Sequence, residues 1–189
     1  MSFDIDKKNI LSKEDKSKKG SIDGPIIKLV NKINRLDNYY TTSSCSGRIM
    51  LIKRAESGRK NEAEWLFVSH ETIKFDDLKE ALSDLPEEDV WFREESMILH
   101  VCCRTIEDAE KILEIAAEAG FKRAGIATTK KKIMVEIMGT EFIDALIAKD
   151  GKLIVDENYL KIIVDYANKK LTKGHERINN FEKTIEKLS

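Results

Sequence analysis

One stretch of the chain concentrates groups able to bind or react. Tyr40-Thr41-Thr42-Ser43-Ser44-Cys45-Ser46-Gly47-Arg48 sets hydroxyls, a thiol, a glycine and an arginine in consecutive positions. Small side chains let a backbone approach a ligand closely. Hydroxyls and backbone N–H groups suit a phosphate, a carboxylate or the edge of a heterocycle. Arg48 adds a planar fork for a carboxylate or phosphate. The same residues would also make a polar turn whose hydroxyls cap nearby backbone groups. Cys45 reads better as a structural cysteine than as a nucleophile, because no base stands beside it in sequence.

The second stretch is Met97 to Arg104. Period-two alternation puts Met97, Leu99, Val101 and Cys103 on one face and Ile98, His100, Cys102 and Arg104 on the other. The first face reads as core. The second carries an imidazole and a guanidinium on one side of a strand, which suits a site floor or a satisfied structural histidine. His70 ends the run Trp65-Leu66-Phe67-Val68-Ser69 and has the same two readings. His175 lies in a polar helical tail and is expected to be inert. Trp65 and Trp91 suit either stacking on a base or packing at a core rim.

These residues need elements to hold them. Ile22, Ile26, Ile27, Val30 and Ile33 recur at helical spacing, with Asp23 or Ser21 as cap and Pro25 in the first turn. Tyr39–Ser44 and Arg48–Arg54 read as strands flanking the hydroxyl-rich loop. Ser57 to Asn61 is a turn signal, so Trp65–Ser69 is the expected return strand. Phe75–Ser83 reads as a short acidic helix and Met97–Arg104 as a strand. Ile106–Ala119 is a helix capped by Thr105 and ended by Gly120. Phe121–Ala127 and Ile133–Met138 are strands, and Glu141–Lys149 is a short helix or turn. Ile154 and Val155 make a brief strand. Glu157–Leu188 is helical with a break at Gly174. The expectation is an α+β fold: a single domain over 1–189, with a mixed or antiparallel curved sheet, flanking helices and a long C-terminal helix. No GxGxxG or GxxxxGK[ST] turn follows a strand, so the usual doubly wound methyltransferase and P-loop folds lose support.

Composition sets the class. The chain has 189 residues, 41% hydrophobic and 35% charged, with a net charge of −1. That length supports one domain with a core. The balance excludes a globally basic coat but allows a local basic face. Nine acids fall between Asp76 and Glu95, against Lys79 and Arg93. Arg48, Lys53, Arg54, Arg59 and Lys60 form one basic stretch, and Lys122, Arg123 and Lys130 to Lys132 another. Folded together, they would attract a polyanion. Three cysteines without CxxC spacing point to a reducing, cytoplasmic setting and to no metal site. No apolar run reaches membrane-spanning length, and Met1 to Gly20 lacks a secretory signal.

Several motifs taken together carry a resemblance: Asp15 to Asp23, Thr41 to Arg48, Trp65 to His70, Ile98-Leu99-His100-Val101, Gly120-Phe121-Lys122, Ala124-Gly125-Ile126, Asp150 to Val155 and Ala167-Asn168. The chain resembles the third tRNA-wybutosine-synthesizing protein family over nearly its whole length. At Glu94-Glu95-Ser96-Met97 a Glu-Pro-aromatic pattern is replaced, which leaves Glu95 as the matching acid. Phe121-Lys122-Arg123-Ala124 replaces an expected Phe-Arg-Asn-Ser.

The resemblance implies methyl transfer from S-adenosylmethionine to a ring nitrogen, N(4), of a tricyclic guanosine-derived base bearing an aminocarboxypropyl chain. That base lies beside the anticodon of phenylalanine tRNA. In-line displacement needs the nitrogen about 3 Å from the methyl carbon and a group that takes its proton. His100, Asp23 and His70 lie in matching motifs and are the candidate bases. Ser43, Ser44, Cys45, Ser46, Gly47, Arg48, Glu95 and Arg104 are the candidate cofactor or substrate contacts. Lys16, Lys18, Lys130, Lys131 and Lys132 are the candidate tRNA contacts, with Lys16 and Lys18 ordering when RNA binds and residues 1–20 otherwise free to move. A monomer is expected. The competing readings are a non-catalytic tRNA-binding module and a small-molecule hydrolase built on the hydroxyl-rich loop.

Overall fold

Thirteen residues of helix begin at a reciprocal cap. In the computed structural model, which describes residues 2–12, 22–54 and 63–188, Thr105 Oγ1 accepts the Asp108 N–H at 3.1 Å and Asp108 Oδ2 accepts the Thr105 N–H at 3.2 Å. This starts α4 (Ile106–Glu118) where the sequence signals place it. Gly120, at φ 99°, ends it, and the Phe121 N–H turns back to the Ala116 carbonyl at 2.9 Å.

The other elements are α1 (Phe3–Leu11), α2 (Ile27–Arg35), β1 (Tyr39–Arg54), β2 (Glu64–Ser69), α3 (Lys79–Ser83), β3 (Asp89–Cys103), β4 (Arg123–Thr128), β5 (Ile133–Met138), β6 (Phe142–Lys149), β7 (Lys152–Leu153) and α5 (Glu157–Thr184). β1 pairs antiparallel with β2, β3 with β5 and β6, β4 with β5, and β6 with β7. The fold is α+β with a long C-terminal helix, as expected.

The contacts of the chain group into two compact units. The first holds residues 1–46, 97–140 and 174–189. Its sheet runs β1-β3-β5-β4. Leu29 and Ile33 of α2, Leu99 and Val101 of β3, Ile112 of α4 and Phe181 of α5 share its buried core. Leu29 takes a place that the sequence pattern assigns to Ile27, which is 41% exposed.

The second unit holds residues 47–96 and 141–173. Its sheet runs β2-β1-β3-β6-β7. Ile49, Leu51, Phe92 and Ile147 pack beneath Leu160, Val164 and Leu171 of α5. Asn168 Nδ2 donates to the Ile73 carbonyl at 2.7 Å and its Oδ1 accepts the Ile73 N–H at 2.9 Å, clamping the preceding loop to α5.

Several expectations change. The hydroxyl-rich segment lies within strand β1 and is not a loop. Thr41 and Thr42 are β-branched and suit the pleat, and Gly47 takes the one positive φ in the run, 101°. The segment expected as a helix or turn from Glu141 is strand over Phe142–Lys149. Ile143, Ala145 and Ile147 face the second core, while Phe142 and Asp144 face away. That is period two, and the register to β3 enforces it. Gly174 does not break α5. Leu171 and Ile178, seven residues apart, are both buried, and that packing outweighs the ~1 kcal/mol that a glycine costs a helix. Asp23 precedes the short 3-10 turn Gly24–Ile26, but its side chain makes no cap there.

One buried acid has a measurable consequence. Glu94 is 1% exposed and neither carboxylate oxygen has a hydrogen-bond partner. Burial raises its pKa from 4.5 to about 7, with Glu141 adding to the rise and Lys170 opposing it. The native state therefore holds a proton that the unfolded chain releases across that interval. Stability falls as pH climbs through it, and the loss is complete above about 7. The shift corresponds to a penalty on the order of 3 kcal/mol. Glu94→Gln removes it. Thermal melts should show the variant about 5–10 °C more stable than wild type at pH 8, and little different at pH 4.5.

Candidate active site

Three neighbouring strands of the first unit carry one hydrogen-bonded row. Ser43 on β1 lies 2.6 Å from His100 Nδ1 on β3, and His100 Nε2 lies 2.8 Å from Glu136 Oε2 on β5. The β3–β5 register sets His100 directly opposite Glu136. A carboxylate only accepts, so Nε2 carries the proton and Nδ1 presents its lone pair to the Ser43 hydroxyl. Ser43 is exposed, and the His100 side chain is 24% exposed. The row can therefore take a proton at its serine end and hold the resulting imidazolium against a carboxylate.

Sequence reasoning found His100 and Ser43 and missed Glu136. A signal existed: Glu136 is the one charged residue in Ile133-Met134-Val135-Glu136-Ile137-Met138.

The next turn of β1 is held from inside. Ser46 is fully buried, and its N–H donates to Asp23 Oδ2 at 2.9 Å. Asp23 is 6% exposed. This carboxylate thus fixes the backbone of the hydroxyl-rich strand. Cys45 is half-buried. Cys102 and Cys103 are buried, and burial pushes the Cys103 thiol up to about 12 and raises that of Cys102, so neither supplies a thiolate nucleophile.

In the second unit, His70 Nδ1 donates to the Gly47 carbonyl at 2.8 Å. Arg48 Nε and Nη2 both donate to Glu95 Oε2, at 2.9 and 2.7 Å, and its guanidinium lies 4.8 Å from the Trp65 ring centre. Nη1 of this fork is left to meet an anion. Within this unit the guanidinium of Arg48 and the carboxylate of Glu95 suit the amino-acid end of a methyl donor.

Two groups of predicted contacts have other work. Arg104 donates to Asn38 Oδ1 at 2.9 Å, to the Asp4 carboxylate at 2.6 and 3.2 Å and to the Asp37 carbonyl at 3.2 Å. Its fork is engaged by α1 through Asp4. Lys132 Nζ lies 2.9 Å from Asp6 Oδ2, which also accepts the Tyr40 hydroxyl. Lys130 and Lys131 are exposed on the loop between β4 and β5. Lys16 and Lys18 lie outside the described residues.

A family model for methyltransferase TYW3 matches residues 5–187. The chain belongs to this family. Its relatives agree along their length. A Thermococcus sibiricus protein named tRNA(Phe) 7-((3-amino-3-carboxypropyl)-4-demethylwyosine(37)-N(4))-methyltransferase is 42% identical over 188 residues, covering 98% of this chain and 95% of its own. The Methanocaldococcus jannaschii protein of that name is 38% identical, covering 100% and 99%. A Xenopus laevis tRNA wybutosine-synthesizing protein 3 homolog is 38% identical, covering 93% and 71%. A solved Pyrococcus horikoshii structure superposes with a TM-score of 0.91 at 39% identity, covering 97% of this chain and 96% of that one. The chain is thus a TYW3 methyltransferase on a fold unlike the doubly wound one, and it needs a methyl donor. Among the described residues no helix is long and apolar enough to cross a membrane.

The anchoring role of Arg104 can be checked by amide exchange. In Arg104→Ala the amides of Phe3–Leu11 should exchange at least about tenfold faster, the equivalent of losing ~1.4 kcal/mol of local stability. Those of α4 and β5 should keep their protection. Unchanged exchange in α1 would assign the anchoring to other contacts.

Proposed function

We propose that this protein methylates N(4) of the 7-aminocarboxypropyl-demethylwyosine base next to the anticodon of tRNA(Phe). The donor is S-adenosylmethionine, and the whole of 1–189 serves as one methyltransferase domain, monomeric and cytoplasmic. The reading is carried by the Ser43–His100–Glu136 row in a chain of this family: an imidazole held between an exposed hydroxyl and a carboxylate.

When bound, S-adenosylmethionine supplies an electrophilic methyl carbon and a neutral thioether leaving group. This chain's residues do the rest. Ser43 Oγ accepts the proton lost by the substrate nitrogen and passes its own to His100 Nδ1. Glu136 holds the ring in the tautomer that can receive it, and then balances the imidazolium charge. Asp23, through the Ser46 N–H, fixes the height of the β1 backbone. Arg48 binds a carboxylate of cofactor or substrate, and Glu95 holds its planar fork in place. His70 holds the Gly47 carbonyl and through it the same strand. Lys16, Lys18, Lys130 and Lys131 meet the tRNA backbone, which supplies affinity more than choice of base. A base in the single-stranded anticodon loop reaches a site at modest cost.

Single-turnover methyl transfer to tRNA carrying the precursor base tests this. His100→Ala should slow the chemical step by about 10²–10⁴-fold. Glu136→Gln should slow it by about tenfold or more, with adenosylmethionine affinity kept. Wild-type rates in both variants would remove the row from the reaction. Binding of tRNA with no adenosylmethionine affinity would mean a non-catalytic module, and turnover of small esters without RNA a hydrolase.

A further inference from the structure

The second unit uses one face of its sheet for its core. Ile49, Leu51, Val90, Phe92 and Ile147 pack there against α5 and the segment around α3. The opposite face carries three cations, each laid over an aromatic ring. Arg48 lies 4.8 Å from the Trp65 centroid, Arg54 lies 4.9 Å from that of Trp91, and Arg93 lies 5.5 Å from that of Phe142. Trp65 is 38% exposed and Phe142 52%. Large rings left this open do not serve the core.

The guanidinium groups are also held in place. Glu95 accepts from Arg48 at 2.7 Å and from Arg93 at 3.0 Å. Asp144 accepts from Arg93 at 2.8 Å and from Arg54 at 3.4 Å. The result is an alternating chain, Arg48–Glu95–Arg93–Asp144–Arg54, running across three strands, with three positive charges against two negative. Each carboxylate sits between two arginines and holds their planes in place. An arginine over an indole covers part of one ring face and adds a cation to which a further ring can be drawn.

We infer that this face is a stacking platform for unpaired RNA bases, and that it takes nucleotides of the anticodon loop that flank the modified base. The inference rests on the tRNA reading above and adds a surface to it. Three features choose this occupant. Planar cations and rings recur across an open antiparallel sheet, which matches bases splayed from a single strand. The surplus positive charge matches a phosphate backbone. Arginine–carboxylate pairs stand between the rings, which suits flat polar bases better than an apolar helix face. A duplex hides its base faces and would find no seat here.

The experiment uses a feature of composition. The chain has two tryptophans, and both, Trp65 and Trp91, lie on this face. Intrinsic fluorescence therefore reports on it directly. An RNA stem-loop with the tRNA(Phe) anticodon loop should quench the emission as it binds, and a fully paired RNA of equal length should not. Phe142→Ala and Trp65→Ala should each weaken stem-loop binding by about tenfold. Circular dichroism and adenosylmethionine binding of Phe142→Ala should match wild type, which separates a lost contact from a lost fold. Binding of the stem-loop with unchanged emission, and with both variants at wild-type affinity, overturns the platform. So does equal quenching by the paired RNA, or by a poly-glutamate peptide. Methyl transfer by the wild-type protein to full-length precursor tRNA is measured alongside. If transfer occurs without quenching, the platform alone is wrong. If tRNA is neither bound nor methylated, the function assigned above is wrong as well, and the platform falls with it.

Discussion

The register of β3 against β5 is the constraint on which the candidate chemistry depends. His100 meets Glu136 because these two residues stand directly opposite in an antiparallel pair. Side chains alternate along a strand, so a slip of one residue would turn Glu136 to the other face. The same slip would drive Val135 and Ile137, both fully buried, out of the first core. Burial of those two side chains, at roughly 1.5–3 kcal/mol each, therefore also holds the acid at its histidine. The geometry of this row is a by-product of core packing on the reverse side of the same strands.

The hydroxyl-rich strand is positioned by a different device. Asp23 reaches the Ser46 N–H and His70 reaches the Gly47 carbonyl, each from within its own unit. Two consecutive residues are thus held by two side chains outside the sheet ladder. Asp23 thus steadies the strand of Ser43 and Ser44 through the Ser46 N–H, and His70 steadies that of Arg48 through the Gly47 carbonyl. Gly47 supplies the backbone angle that a residue with a Cβ would adopt only under strain.

Charge is spent unevenly. At the amino terminus Asp4 and Asp6 neutralise Arg104 and Lys132, so those cations stabilise α1 more than they attract a polyanion. On the second unit's open face, carboxylates and arginines alternate and leave one positive charge over. Glu94 is the exception to this economy: a carboxyl sealed in the interior with no hydrogen-bond partner among the described residues, its pKa raised by burial. Neighbouring Glu95, one residue on, points the other way and pairs with Arg48 and Arg93. Adjacent identical residues have different surroundings because a strand sends them to opposite faces.

Local signals were enough where the decisive physics was local. Thr105, Asp108 and Gly120 delimit α4 in sequence because the cap and the stop are made by residues three or four apart. The alternation of Met97 to Cys103 revealed its buried face for the same reason. The family motifs brought Ser43, Arg48 and His100 forward as candidates, and the missing glycine-rich turn removed support for a doubly wound nucleotide fold. Non-local partners decided the rest. Phe142–Lys149 is strand because β3 lies alongside to pair with it. Gly174 stays helical because buried residues on both sides hold the helix. The hydroxyl-rich segment is strand because its backbone pairs across the sheet. Glu136 acquires a role only when β5 is laid against β3. A residue's own type says what it can donate or accept. Which group it meets depends on the pairing of strands far apart in the chain, and that is settled by the cores the whole chain can bury.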